Sequence, residues 1–287
     1  MTSTPLDRLR RRVGALGAPL CLGLDPHPDA LPEGLSPDVH GVEAFARGLL
    51  EAAADQVVAV KFNVAFFEAF GSAGLAALER VRRDVPAALL CILDAKRGDI
   101  GSTAERYAEA LFGHLDADAV TLSPYLGEDA IEPFLRHPDR LVYVLARTSN
   151  PSAGQVQDLE VAPREPLALH VARWVAERWA DGRVGLVVGA TAAEELRAIR
   201  DAVPGPGFLV PGVGAQGGDL EASVACAAGA WAPGVVSVSR GIALASRGDD
   251  WRAAARQAAG VLRSRMAEAV LHSNSSADPA PHSTGGS

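Results

Sequence analysis

Of the 27 basic side chains in this 287-residue chain, only Lys61 and Lys96 are lysines; the other 25 are arginines. Where charge alone is needed the chain uses arginine, so a retained lysine points to chemistry a guanidinium cannot perform. A lysine ammonium is a compact charge that can shift its pKa and hand over a proton, whereas arginine is effectively never deprotonated. Lys96 stands in Asp94-Ala95-Lys96-Arg97-Gly98-Asp99, directly after the apolar run Ala87–Leu93, and Lys61 ends the run Val57–Val60. Asp94 and Lys96 are two apart, so on an extended segment they share a side. Asp99 follows three residues later, with Gly98 between and a helix opening near Ile100 or Gly101. Alternating carboxylate and ammonium groups hold a lysine charged and aimed, able to donate a proton or stabilise a carbanion. The same spacing also suits a structural ion-pair network, and spacing by itself leaves both readings open.

A second group has different chemistry. Pro211-Gly212-Val213-Gly214-Ala215-Gln216-Gly217-Gly218 is rich in glycine, and Ser239-Arg240-Gly241 follows the next apolar run. Glycines let backbone N–H groups approach an anion closely, and an arginine adds bidentate, charge-assisted bonds. Together they suggest a phosphate site; the alternative is a flexible turn. The stretch from Arg147 to Arg164, containing Thr148-Ser149-Asn150-Pro151, has no clear periodicity. Connections this long in compact domains tend to be functional or mobile, and this one could cover a ligand together with the glycine loop.

Positioning these groups requires strands. Short apolar runs at Pro19–Leu24, Val57–Phe62, Ala88–Leu93, Ala119–Leu122, Leu141–Ala146, Gly185–Val188, Phe208–Val210 and Val235–Val238 alternate with helical patterns near 42–54, 66–83, 101–113, 128–136, 165–180, 191–202, 219–228 and 249–268. The runs are apolar on both faces, as strands of a parallel sheet are. Eight strand–helix units over about 265 residues predict a single (β/α)8 TIM barrel in the α/β class, rather than an open doubly wound sheet. Residues just past each strand then converge on one rim, where barrel active sites sit. The rim set is Asp25, Lys61, Asp94, Lys96, Asp99, Ser123, Ser149, Asn150, the Pro211–Gly218 loop and Arg240. The phosphate site falls after strands 7 and 8, a frequent position in barrels.

We expect residues 1–270 to form one catalytic domain, and the Ser-, Pro-, Gly- and Ala-rich residues 271–287 to form a disordered tail. Thr4 and Pro5 suit the N-cap and first residue of an initial helix whose polar side carries Arg8, Arg10, Arg11 and Arg12. Arg136, Arg140, Arg173, Arg178, Arg197 and Arg200 read as solvated helix faces. A net charge of −8 argues against nucleic acid as a main partner. No apolar run approaches a membrane span, and the N-terminus has no signal-peptide core. Cys21, Cys91 and Cys226 are far apart in apolar surroundings, as expected of buried free thiols in a reducing cytoplasm. The seven histidines show no metal-ligand spacing, so no metal or cofactor site announces itself.

The motifs Asp94-x-Lys96-x-x-Asp99-Ile100, Pro211–Gly218 and Arg240 resemble the signature of the orotidine 5′-phosphate decarboxylase family. Thr148-Ser149-Asn150-Pro151 and the Lys61-x-x-Val64-Ala65-Phe66-Phe67-Glu68 run are similar to its bacterial type 2 branch, and the similarity spans roughly residues 15–265. The resemblance implies loss of CO2 from orotidine 5′-phosphate to give UMP, the last step of de novo UMP biosynthesis, without a cofactor. It implies that Lys96 donates the proton to pyrimidine C6 and that Asp94 sits against the departing carboxylate. Lys61 would bridge Asp94 and the ribose, Asp25 would bind a ribose hydroxyl, and Ser149 would read the pyrimidine. Gln216 would reach in from the closing loop, with Pro211 beside it, and Arg240 would hold the phosphate. It further implies a homodimer in which Asp99, Ile100 and Thr103 enter the partner subunit's site. One departure is visible: many members carry glycine where this chain has Ser239. Two other readings stay open. A sister barrel that decarboxylates or epimerises a sugar phosphate would typically use a metal held by an acidic residue on strand 2, where this chain has Lys61. A non-catalytic phosphate-ligand-binding barrel would leave the Lys/Asp cluster without a use, and buried charges are costly.

Overall fold

The structure is a computed structural model that describes residues 3–190, 193–213 and 218–276. Eight parallel strands close into a barrel: β1 (Leu20–Leu24), β2 (Ala59–Asn63), β3 (Leu90–Arg97), β4 (Ala119–Leu122), β5 (Leu141–Arg147), β6 (Val184–Val188), β7 (Phe208–Pro211) and β8 (Val235–Val238). Each strand pairs with its neighbours in chain order, and β8 returns to β1 through Leu20↔Val236 and Leu22↔Val238.

The strands are apolar on both faces because each face meets a different core. Leu22, Val60, Phe62, Cys91, Leu93, Val120, Leu122, Val236 and Val238 face outward into the layer of helices. Cys21, Ala59, Leu90, Ile92, Ala119, Leu141, Tyr143, Val187, Leu209 and Val235 fill the barrel interior. Side chains alternate with period two along a strand. Continuing the interior series one step up from Ala59, Ile92, Ala119, Leu209 and Val235 gives Lys61, Asp94, Thr121, Pro211 and Ser237. Four of these five are polar, so the barrel mouth carries polar side chains where the layers beneath are apolar.

The base is closed by the helix Pro5–Leu16. The Thr4 side chain accepts from Asp7 N–H, Pro5 opens the helix, and Gly17 ends it in the left-handed conformation at φ 64°. Leu6 and Leu9 join the interior cluster, while Arg10 Nη2 donates to Trp231 O at 2.7 Å and Arg12 Nη2 to Ala54 O at 2.6 Å.

Several expectations need correction. The long connection after β5 contains a short helix, Gly154–Gln157, and a small antiparallel pair, Glu160–Ala162 with Glu165–Pro166. These pieces are too short to leave a periodic signature. Arg200 is not a solvated side chain: it stacks 3.5 Å above Phe208 and donates to Cys226 O and Pro206 O, both at 2.9 Å. Arg140 likewise donates to Ala117 O at 2.7 Å and pairs with Asp116. In both cases the long stem lets a helix or loop residue fasten backbone elsewhere. The last helix runs Trp251–Ser276, past residue 270. Its sequence from Trp251 to Ser276 contains no proline. Residues 277–287 of the expected tail lie outside the described residues. Among the described residues no helix is long and apolar enough to cross a membrane, and the three cysteines are buried and unbonded to one another.

Candidate active site

A cavity of about 410 Å³ opens at the C-terminal ends of the strands. Asp25, Lys61, Asp94, Lys96, Ser149, Pro211 and Arg240, from five different strand ends and the loop after β5, all line it. At its centre the Asp94 carboxylate accepts three hydrogen bonds. Its Oδ2 accepts from Lys61 Nζ at 3.0 Å, and its Oδ1 accepts from Lys96 Nζ at 2.6 Å and from the Thr121 hydroxyl at 2.9 Å. Burial alone would raise the Asp94 pKa, but the ammonium groups of Lys61 and Lys96 outweigh it and hold the carboxyl well below the usual range. Lys61 is only 5% exposed. Burial alone would lower its pKa; the carboxylates of Asp94 and Asp25 reverse that and raise it above an ordinary lysine. Lys61 is thus a permanent cation and a poor proton donor. Below it, burial first of all pushes the Cys21 thiol up to about 12, so this sulfur stays protonated and inert.

Lys96 shares the Asp94 carboxylate with Lys61 but differs from it in exposure and in backbone conformation. Its side chain is about half exposed to the cavity. Its backbone takes φ 46°, a left-handed conformation unusual for a residue with a side chain. That turn follows an irregularity in the β3–β4 register between Leu93 and Arg97. It is fixed on one side by the Lys96 N–H donating to Thr121 Oγ1 at 3.0 Å, and on the other by Arg97, which pairs with Glu68. Strain of this kind persists where the surroundings over-determine it, often at functional sites.

Two features face outward as unmet binding capacity. Asp25 lies 3.8 Å from Lys61 Nζ, yet its buried Oδ1 accepts no hydrogen bond. Such an acceptor is costly unless a ligand supplies the donor. Arg240 lines the same cavity and, among the described residues, pairs with no carboxylate. Beside it Gly212 adopts φ 96°, which favours glycine, and Gly218 N–H donates to Gly212 O at 3.3 Å, pinning the base of the glycine loop. Gln216, expected to reach in from that loop, lies outside the described residues.

Asp99, Ile100 and Thr103 do not line the cavity of their own chain. Asp99 caps the Ile100 N–H at 2.8 Å, and Ile100 is 52% exposed at the start of the helix Gly101–Ala108. Thr103 is exposed on its first turn. Besides Asn63, which lines the cavity from the end of β2, two further polar residues were missed. Thr121, not Ser123, serves the site from β4; Ser123 packs instead against Gly98. Ser237 lines the cavity from β8. Strand parity counted from Ala119 and Val235 would have found both. Ser239, the departure from the family pattern, rests on Gly23: a Cβ at position 23 would lie 2.8 Å from the Ser239 Cβ.

Comparison with known proteins agrees with this arrangement. Residues 18–258 match the model of the orotidine 5'-phosphate decarboxylase / HUMPS family. The chain is 53% identical to the orotidine 5'-phosphate decarboxylase of Roseiflexus castenholzii over 88% of this chain and 93% of that one. It is 46% identical to that of Thermomicrobium roseum over 90% and 92%. Among solved structures it resembles a putative orotidine 5'-phosphate decarboxylase from Streptomyces avermitilis, with TM-score 0.80 and 36% identity over 94% of this chain and 97% of that one. It also resembles Leishmania donovani UMP synthase, with TM-score 0.81 and 42% identity over 92% of this chain and 56% of that one. A closed eight-stranded barrel, a Lys/Asp cluster at its mouth and similarity over more than nine-tenths of the length of the Roseiflexus, Thermomicrobium and Streptomyces proteins lead to one assignment: the chain belongs to the orotidine 5'-phosphate decarboxylase / HUMPS family.

Proposed function

We propose that the chain decarboxylates orotidine 5′-phosphate to UMP and CO2 as the last step of de novo UMP biosynthesis, without metal or cofactor. The observation that carries this reading is the Asp94 carboxylate held between two ammonium groups of unlike character, Lys61 at 3.0 Å and Lys96 at 2.6 Å. As the C6–carboxylate bond breaks, CO2 departs and its electron pair remains on C6, where no ring position delocalises it. The Lys96 ammonium stabilises that charge where it develops and transfers one proton to C6, becoming a neutral amine that solvent reprotonates. Asp94 sits against the leaving carboxylate, Lys61 fixes Asp94 and reaches toward the ribose, and Asp25 takes a ribose hydroxyl on its unmet Oδ1. Ser149 reads the pyrimidine. Arg240, with Pro211 and Gln216 of the glycine loop, binds the phosphate, and contacts so far from C6 are a source of binding energy for ordering the site.

The exposed rim residues support a second part of the reading. Ile100 is 52% exposed and Tyr125 87% exposed, large apolar groups on neighbouring strand-end loops. We assign this rim to a homodimer in which Asp99, Ile100 and Thr103 complete the partner subunit's site, and we assign the enzyme to the cytoplasm.

The test is turnover of orotidine 5′-phosphate by purified protein in excess EDTA. Undiminished UMP formation is the expected result. Activity restored only by a divalent metal would favour a sugar-phosphate barrel enzyme, and tight UMP binding without turnover would favour a non-catalytic binder.

A further inference from the structure

Past β5 the chain leaves the barrel ladder, yet Thr148, Ser149 and Asn150 all line the cavity. A loop there needs some other source of order. One side chain nine positions on supplies it. Gln157 Oε1 accepts from the Thr148 N–H at 2.9 Å, and Gln157 Nε2 donates to Thr148 Oγ1 at 2.8 Å. Thr148 Oγ1 in turn donates to Asn150 Oδ1 at 2.6 Å. A carboxamide offers an acceptor and a donor in one rigid plane, so this residue imitates the paired bonds of an adjoining strand.

Gln157 is itself held in place. It ends the short helix Gly154–Gln157, and the next residue, Asp158, pairs with Arg147 Nη1 at 2.8 Å. Arg147 Nε also pairs with Glu195 at 2.5 Å, on the helix Ala193–Ala202. From the opposite side Ser149 is backed by Gly189, where a Cβ would come within 3.0 Å of the Ser149 Cβ and N. Ser149 is therefore bracketed between a fixed Thr148 and a bare glycine. Gln157, Arg147 and Asp158 do not line the cavity.

We propose that Gln157 is a positioning residue that sets the Ser149 hydroxyl for the pyrimidine base and so governs base recognition. The inference rests on the reading of Ser149 given above. Apart from a long bond that Gln157 Oε1 accepts from Arg147 Nη1 at 3.5 Å, Gln157 acts on the loop after β5, so loosening it should weaken contacts to the base while sparing those to ribose and phosphate.

Calorimetric binding of UMP and of ribose 5-phosphate separates these. Gln157→Ala is expected to weaken UMP about tenfold, the equivalent of one lost hydrogen bond of about 1.4 kcal/mol, with ribose 5-phosphate changed by less than about twofold. KM for orotidine 5′-phosphate should rise more than kcat falls. Gln157→Glu keeps the acceptor for the Thr148 N–H and loses the donor, and should lie between wild type and Gln157→Ala. Equal weakening of both ligands would mean a merely structural role and overturn the proposal, as would no change in either. Ser149→Ala runs alongside: if it leaves UMP binding unchanged, the hydroxyl is not the base contact and the proposal falls at that point. If it weakens UMP while Gln157→Ala does not, only the positioning role falls. A wild type that binds UMP no better than ribose 5-phosphate would overturn the assigned function, and this inference with it.

Discussion

The Lys61 ammonium lies 3.0 Å from Asp94 Oδ2 although the ladder pairs Lys61 with Ile92 and Asp94 with Asn63. The contact is diagonal, reaching two residues further along the neighbouring strand than the ladder partner, and it takes the long lysine stem to make it. Asp94 thereby receives its second cation from a neighbouring strand, which leaves Lys96 aimed into the cavity.

Lys96→Arg tests what that lysine does. Arginine keeps the charge but cannot release a proton, so turnover should fall by about a thousandfold or more, within the range for a lost general acid. The far-ultraviolet circular dichroism and melting temperature should stay close to wild type. Substantial retained turnover would remove Lys96 from the proton-donor role.

Asp94→Asn addresses stability and pH together. Removing the carboxylate leaves buried Lys61 with only the more distant Asp25, and should cost about 3 kcal/mol at neutral pH. The Asp94 pKa is depressed in the folded state, so its stabilisation is complete above its unfolded value of about 3.9 and drains away as pH falls through the folded value. The Lys61 pKa is raised, so its stabilisation is complete below about 10.4 and is lost as pH rises through the folded value. Urea midpoints of wild type and variant should differ by a constant amount between about pH 5 and 9, and converge in acid. A gap that widens in acid would contradict the assignment.

Most of the architecture was legible because strands buried on both faces have an unmistakable pattern. Seven of the eight apolar runs, from Pro19–Leu24 to Val235–Val238, contain a barrel strand or nearly coincide with one, whereas Ala88–Leu93 covers only the first half of Leu90–Arg97, whose polar second half carries Asp94 and Lys96. Lys61, Asp94 and Arg240 were legible because they end such runs. Thr121 was not, because a lone hydroxyl inside Ala119–Leu122 passes for packing until strand parity is traced. Gln157 was not, because its partner is a backbone N–H in a loop without periodicity. Spacing put Asp99 with Lys96, but within one chain it caps Ile100 instead; the cross-subunit role proposed for it comes only from the resemblance.

Gly23 and Ser239 should behave as a coupled pair. Gly23→Ala would drive a Cβ into the Ser239 side chain and should destabilise the protein by about 1–3 kcal/mol, as overpacking does. Ser239→Gly in the same chain should restore part of that loss, but not all, because the Ser239 Cα lies only 3.2 Å from the new Cβ. A double-mutant cycle by urea unfolding measures the coupling, and strictly additive effects would show there is none.

Mixing inactive subunits tests the shared site. Asp99→Ala and Lys96→Ala proteins, each inactive alone, should regain about a quarter of wild-type activity when mixed at equal amounts, because random pairing makes half the dimers mixed and each mixed dimer has one intact site. No recovery after verified subunit exchange would confine each site to one chain.

The helix that seals the barrel base joins the beginning of the chain to nearly its end: Leu6 and Leu9 share the interior with Ala232 and Val235, and Arg10 bonds across 221 residues to Trp231. During synthesis the earliest helix therefore has no complete seat until the eighth strand has emerged. Folding dominated by such distant contacts is slow, and here the base closes only once the eighth strand is available, rather than unit by unit. Nascent chains stalled before residue 235 should leave Pro5–Leu16 open to protease, while chains stalled well beyond it should protect that segment.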